Sequence, residues 1–185
     1  LRAELARRAG MVNRAREALA AGRVEPHYQP KVDLGTGRVV GFEALLRWRD
    51  AKGRLRGPAD LQAAFEDWEV AAALSDRMLA RAVADMGRWR EAGVAFGRVA
   101  VNVSNAEFVR GDLVDRVLGR LELAGLPADR LELEVTESVF MREGTGAVRV
   151  LERVLDLGVR LSLDDFGTGY SSLAYLSKLP AQLLK

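Results

Sequence analysis

Four stretches of this chain alternate apolar and polar residues with a period of two, and each carries an oxygen-bearing side chain on its polar face. In Phe42-Glu43-Ala44-Leu45-Leu46-Arg47-Trp48, an extended strand puts Glu43, Leu45 and Arg47 on one face and Phe42, Ala44, Leu46 and Trp48 on the other. Val99, Val101 and Val103 oppose Asn102 in the second stretch. Leu131, Leu133 and Val135 oppose Glu132, Glu134 and Thr136 in the third. The fourth, Val159 to Asp165, repeats the alternation and ends in the paired carboxylates Asp164 and Asp165. A charge on a strand face that faces the interior is costly unless it is paired or binds a metal. The first stretch is therefore either an unusual ion-paired strand or one wall of a site. Four such strands, each offering an oxygen toward its C-terminal end, suit a parallel α/β barrel, whose outer face packs on helices and whose chemistry sits at the C-terminal rim.

The segments between these strands read as helices. Leu74, Met78, Leu79, Ala82, Val83 and Met86 recur at 3–4 spacing within a helical region from Asp60 to Glu91, expected in two pieces. Asp112 is a candidate N-cap for a helix from Leu113 to Ala124, closed by Gly125. A third helix spans Thr145 to Leu157. Ahead of them, His27 to Val32 and Val39 to Trp48 flank a glycine-marked turn at Leu34 to Arg38. That connection is too short for a parallel crossover, so the first two strands are expected to pair antiparallel. Strands are also expected from Gly97 to Ser104, from Leu131 to Thr136, from Val159 to Asp164 and from about Gln182. Strand alternating with helix is the order of a parallel α/β sheet or barrel. Residues 4–21, rich in Ala, Arg and Glu and stopped by Gly22, form a leading helix. The expected division is a helical linker at 1–26, joining an upstream domain, and a barrel-like domain at 27–185. The latter is shorter than the ~250 residues of a typical full barrel. The reading is accordingly an incomplete barrel lacking its last strands, with the further expectation that residues 1–185 alone are inactive and either poorly soluble or oligomeric through open sheet edges.

Composition narrows the chemistry. The chain has 185 residues, no cysteine and one histidine. Disulfides, cysteine zinc sites and histidine-based triads are excluded, and the lack of cysteine fits a reducing compartment such as the cytoplasm. A formal charge of +2 and a pI of about 9.2 favour anionic ligands only weakly and do not argue for a nucleic acid polymer. There is no signal peptide and no apolar run near the ~20 residues that span a bilayer. An anchor in segments outside this sequence stays open. The candidate donors Glu43, Asn102, Glu134, Asp164 and Asp165 are all oxygen ligands, which hard cations such as Mg²⁺ or Mn²⁺ prefer.

Taken together, Glu43-Ala44-Leu45-Leu46-Arg47-Trp48 resembles the signature of EAL domains, the cyclic di-GMP phosphodiesterases. Tyr28-Gln29-Pro30-Lys31 is similar to the motif that opens that domain. Asn102-Val103-Ser104, Glu134-Val135-Thr136-Glu137 and Asp164 to Leu173 fall in the family's order and at similar spacing, and Lys185 falls where the family carries a lysine on the next strand. The resemblance implies a modified TIM (β/α)8 barrel with an antiparallel strand. It implies hydrolysis of cyclic di-GMP to linear pGpG with Mg²⁺ or Mn²⁺, two ions in all. By the same resemblance, Glu43, Asn102, Glu134 and Asp164 would hold a first metal. Asp164 and Asp165 would serve the second, and Lys185 would touch the attacking water. Gln29, Leu46 and Arg47 would contact substrate, and Glu137 would anchor the loop from Phe166 to Ser172. A homodimer and an upstream regulatory or GGDEF domain are the implied partners. The family's further glutamate after the sixth strand has no counterpart up to Lys185, and Ala64 to Glu69 departs from the family's commoner Ala-Glu helix.

Other readings stand beside these. Glu43 and Arg47 could form a structural ion pair, and Asp164-Asp165 could cap the following loop. His27 reads as packing or surface, and Trp48, Trp68 and Trp89 as core or helix-interface residues. A non-catalytic cyclic di-GMP receptor or interaction module of the same fold is the alternative function, and an unrelated Mg²⁺-dependent barrel enzyme is a more distant one. The full set Glu43, Asn102, Glu134, Asp164, Asp165 and Lys185 favours the enzyme, since a receptor has no chemical need for a complete metal cluster.

Overall fold

A computed structural model describes residues 1–136, 139, 146–164 and 183–184. Its strands are β1 (Val24–Val32), β2 (Val39–Arg49), β3 (Leu55–Arg56), β4 (Arg98–Asn102), β5 (Leu131–Thr136), β6 (Arg160–Asp164) and β7 (Leu183–Leu184). They form one sheet in the order β1-β2-β4-β5-β6-β7, with β3 paired to β2. β1 and β2 are antiparallel, and β2, β4, β5, β6 and β7 run parallel. This is the expected class, a barrel-type parallel α/β sheet with an antiparallel first strand. The hairpin between β1 and β2 closes on Asp33, whose Oδ1 accepts from the Thr36 backbone N–H at 2.8 Å and the Thr36 hydroxyl at 2.7 Å. Such Asx-type bonds replace a backbone turn and set the register of the arms.

The helices are α1 (Arg2–Ala20), α2 (Trp68–Glu91), α3 (Asn105–Arg110), α4 (Leu113–Ala124) and α5 (Ala147–Asp156), with 3-10 turns at Pro58–Phe65 and Ala128–Arg130. All six apolar positions expected to line α2 are buried. They meet the outward faces of the strands, where Val99, Val101, Leu131, Leu133, Leu161 and Leu163 join one core with Val117 and Leu121 of α4 and Leu151 and Val154 of α5. Alternation on the strands and 3–4 spacing on the helices thus serve one interface. Truncating Leu133 or Leu161 to Ala there costs about 2–5 kcal/mol.

Several local expectations are corrected. β1 begins at Val24, three residues ahead of His27, because Val24 reaches the core and pairs with Trp48. The stretch between Ser104 and Asp112, where no element was expected, forms the short helix α3. Asp112 precedes α4 but makes no side-chain cap bond; the guanidinium of Arg116, one turn on, takes its carboxylate at 3.0 Å instead. Asp67 is the residue that caps a helix with its side chain, accepting from Val70 N–H at 3.1 Å at the start of α2. Trp48 is core, as expected, and Trp89 packs edge-on against Tyr28 with ring centroids 4.6 Å apart. Trp68 is not core: as the first residue of α2 it precedes the buried stripe and stays 37% exposed. Met11, Ala15 and Ala18 of α1 are buried, and Ala15 and Ala18 join the same core as the strands.

A charged cluster ties α2, α3 and α4 together. Arg116 binds Glu107 and Asp76, and Arg120 binds Asp76 at 2.9 Å. Glu107 is 1% exposed. Its burial pushes the carboxyl up to about 7, against the opposing pull of Arg110, Arg120 and a Ser75 hydrogen bond. The folded state then holds a proton that the unfolded chain releases near its ordinary value of 4.5. Stability should fall as pH rises from about 4.5 to about 7, by on the order of 1–3 kcal/mol. Thermal melts of Glu107→Gln across that range should show a flatter profile; an equal slope in the variant assigns the effect elsewhere.

Candidate active site

The strand register brings the expected donors to one rim. Gln29 on β1 lies directly opposite Glu43 on β2. Glu43 pairs with Ala100, so Asn102 is one pleat further along β4, and its Nδ2 is 3.5 Å from Glu43 Oε1. Asn102 in turn lies opposite Glu134. Glu134 pairs with Ser162 and Thr136 with Asp164, so Asp164 is one pleat beyond Glu134's partner. Each donor is therefore directly across from the next or one diagonal step away. A parallel sheet does this because side chains two residues apart share a face. Glu43 and Arg47 part ways despite their shared spacing: Glu43 meets Asn102, and Arg47 Nη1 donates to the Leu46 carbonyl at 2.8 Å. Leu46, Arg47, Asn102, Glu134 and Thr136 all line one cavity of about 750 Å³, within the range of small-molecule sites.

Glu134 is 1% exposed, and burying its carboxylate requires compensation. Lys31 supplies it. Its Nζ donates to Glu134 Oε1 at 3.0 Å and to Glu132 Oε1 at 3.1 Å. Ser162 Oγ donates to Glu132 Oε1 at 3.0 Å, and Arg98 stands 3.7 Å from its other oxygen. Neither Lys31 nor Glu132 was expected at the site. The signal was present in the spacing: Lys31 is two residues beyond Gln29 and Glu132 two before Glu134, so each shares a strand face with an expected site residue.

Among the described residues, no three His, Asp or Glu side chains form a ready metal cage. The donor chemistry nevertheless fits a hard cation. Glu43, Asn102, Glu134 and Asp164 offer only oxygen as ligand atoms, and an ammonium group already rests against Glu134, so the pocket favours positive charge there. Asp165, Lys185, Glu137 and the loop from Phe166 to Ser172 lie outside the described residues.

Fold and rim together define an α/β barrel-type domain with an oxygen-lined C-terminal mouth and a guanidinium at its edge. The chain belongs to the EAL domain family, whose model matches residues 12–185. It is 45% identical over 175 residues to the cyclic di-GMP phosphodiesterase NbdA of Pseudomonas aeruginosa, covering 95% of this chain and 22% of that protein. It is 40% identical over 170 residues to the bifunctional diguanylate cyclase/cyclic di-GMP phosphodiesterase MucR of the same organism, covering 92% of this chain and 25% of that protein. The solved PaMucR phosphodiesterase in complex with c-di-GMP superposes with a TM-score of 0.83 at 38% identity, covering 95% of this chain and 71% of that one. The chain thus spans about a quarter or less of the length of these two curated relatives. No helix among the described residues is long and apolar enough to cross a membrane.

Proposed function

We propose that this chain is the EAL domain of a phosphodiesterase that hydrolyses cyclic di-GMP to linear pGpG with Mg²⁺ or Mn²⁺. The observation that carries this reading is the register that aligns Gln29, Glu43, Asn102, Glu134 and Asp164 along one rim. Glu43, Asn102, Glu134 and Asp164 would hold the first cation, and Asp164 with Asp165 the second. Bound there, a hard divalent ion supplies a Lewis acid that activates water and offsets charge on the departing oxygen. The chain's own residues do the rest. Arg47 at the cavity wall offers a fixed guanidinium to one phosphate of the dianionic ring. Gln29 orients the sugar-phosphate edge from across the hairpin, and Leu46 shields the site from water. Lys31 aims Glu134 by holding one of its oxygens. Lys185 would touch the attacking water, and Glu137 would hold the loop after β6. A homodimer is the assembly we favour, with α1 as the segment through which an upstream regulatory or GGDEF domain joins.

The test is hydrolysis of cyclic di-GMP by the full-length gene product, followed by separation of pGpG. Turnover should vanish with chelator and return with Mg²⁺ or Mn²⁺. Tight binding without turnover in either metal would instead make the protein a receptor. Arg47→Ala should chiefly raise KM, by roughly ten- to a hundredfold for one lost charge-assisted phosphate contact. An unchanged KM with a lowered kcat would reject Arg47 as a ground-state phosphate contact.

A further inference from the structure

The cavity at the rim extends beyond the donors. Arg47, Asn102 and Glu134 line it, and so do Pro58, Phe65 and Trp68. Phe65 ends the Pro58–Phe65 turn and Trp68 begins α2. They are 43% and 37% exposed, whereas Trp48 is buried and Trp89 packs against Tyr28 and Phe42. Aromatic surface of that size is ordinarily buried. Among the described residues, the two large aromatic hydrophobics that stay exposed therefore line the same cavity as Arg47. The two residues between them are held from outside: Glu66 pairs with Arg8 and Asp67 with Arg16 of α1, the latter at 3.2 Å. Asp67 also caps α2 through Val70 N–H. The junction between the rings is thereby tied to α1 by two ion pairs, while Phe65, Glu66 and Trp68 all contribute to the cavity lining.

A cyclic dinucleotide joins an anionic sugar-phosphate ring to flat purines, and the cavity lining holds a counterpart to each, a guanidinium in Arg47 and aromatic rings in Phe65 and Trp68. We propose that Phe65 and Trp68 form a base-stacking wall that grips one purine of the substrate while Arg47 holds the adjoining phosphate. This rests on the cyclic di-GMP reading and assigns to that site two recognition residues that lie in the stretch departing from the family's commoner Ala-Glu helix. Rings of this kind grip any base through its π face, so the wall supplies affinity and placement, and hydrogen-bonding groups supply discrimination.

The test is equilibrium binding of cyclic di-GMP to the full-length protein with chelator present, so that no turnover intervenes. Phe65→Ala and Trp68→Ala should each weaken Kd by about ten- to a hundredfold, the usual consequence of losing one base–aromatic stack. Both rings are substantially exposed, so melting temperatures should stay close to the parent's. Trp68→Phe should keep Kd within about threefold, since the π surface persists. A second readout does not depend on truncation. Saturating ligand should quench the tryptophan emission of the parent protein, and Trp68→Phe should lose that quench. Parent protein that binds tightly with no change in emission, or alanine variants that bind as tightly as the parent, would overturn the wall while leaving the phosphodiesterase reading standing. A parent that does not bind cyclic di-GMP at all would overturn both.

Discussion

Replacing Glu43 with Ala in the full-length protein should reduce cyclic di-GMP hydrolysis by more than about a hundredfold. Loss of a group that merely supports a metal ligand commonly costs 10–100-fold, and a direct ligand should cost more. Glu43 stands between two other site residues, opposite Gln29 in the hairpin and 3.5 Å from the Asn102 amide. Its removal takes one charge from the donor set and one neighbour from Asn102. The fold should survive, because the outward neighbours Ala44 and Trp48 carry the packing of β2. Calorimetric titration with Mn²⁺ in the absence of substrate should show the same deficit in cation affinity. Unchanged Mn²⁺ affinity and near-normal turnover in Glu43→Ala would remove this residue from the ligand set.

The second large effect is on folding. Gly97 leads into β4 with φ of +66°, and a Cβ there would stand 2.2 Å from the Val40 carbonyl oxygen. Gly41 meets the same approach from the other side, its Cβ position falling 2.3 Å from the Arg98 carbonyl oxygen. These atoms are backbone and cannot swing away. Gly97→Ala must therefore displace β4 from β2 in addition to the ~1–2 kcal/mol of the left-handed backbone. A total above about 4 kcal/mol is expected, with a melting temperature lower by roughly 10 °C or more. Gly53 is the control: its φ is +76°, but nothing lies within 4 Å of its Cβ position. Gly53→Ala should cost only the backbone part. Equal losses in the two variants would mean that strand contact contributes nothing at Gly97. The register anchored here is also what sets Asn102 beside Glu43, so partly folded Gly97→Ala protein should lose activity before it loses helix content.

Period-two alternation, visible without coordinates, was enough to assign the strands to a sheet with an apolar outer face, because Leu131, Leu133 and Val135 take one side of the strand and Glu132 and Glu134 the other; that the acidic side is buried too was not visible. The short turn at Asp33 and Thr36 likewise dictated an antiparallel first pair. Which oxygens meet was a different matter. Alternation puts Glu43 and Arg47 on one face with equal weight, yet their side chains go to different neighbours. The choice depends on the stagger between β2 and β4, and local propensity does not encode stagger. Nor could the chain order reveal that Lys31, 101 and 103 residues away from Glu132 and Glu134, would neutralise both. Trp68 shows the same limit from the helical side. Its type suggested core or a helix interface, but its place one residue past the cap of α2 put it on the cavity wall.

By itself, the sequence determined the periodicities, the hairpin, the donor chemistry and the family, since each depends on residue type and near-neighbour spacing. Tertiary structure alone decided the register, the partner of each buried charge and the exposure of the aromatic pair. Those depend on where strands far apart in the chain come to rest beside one another, and that is settled by packing across the whole core.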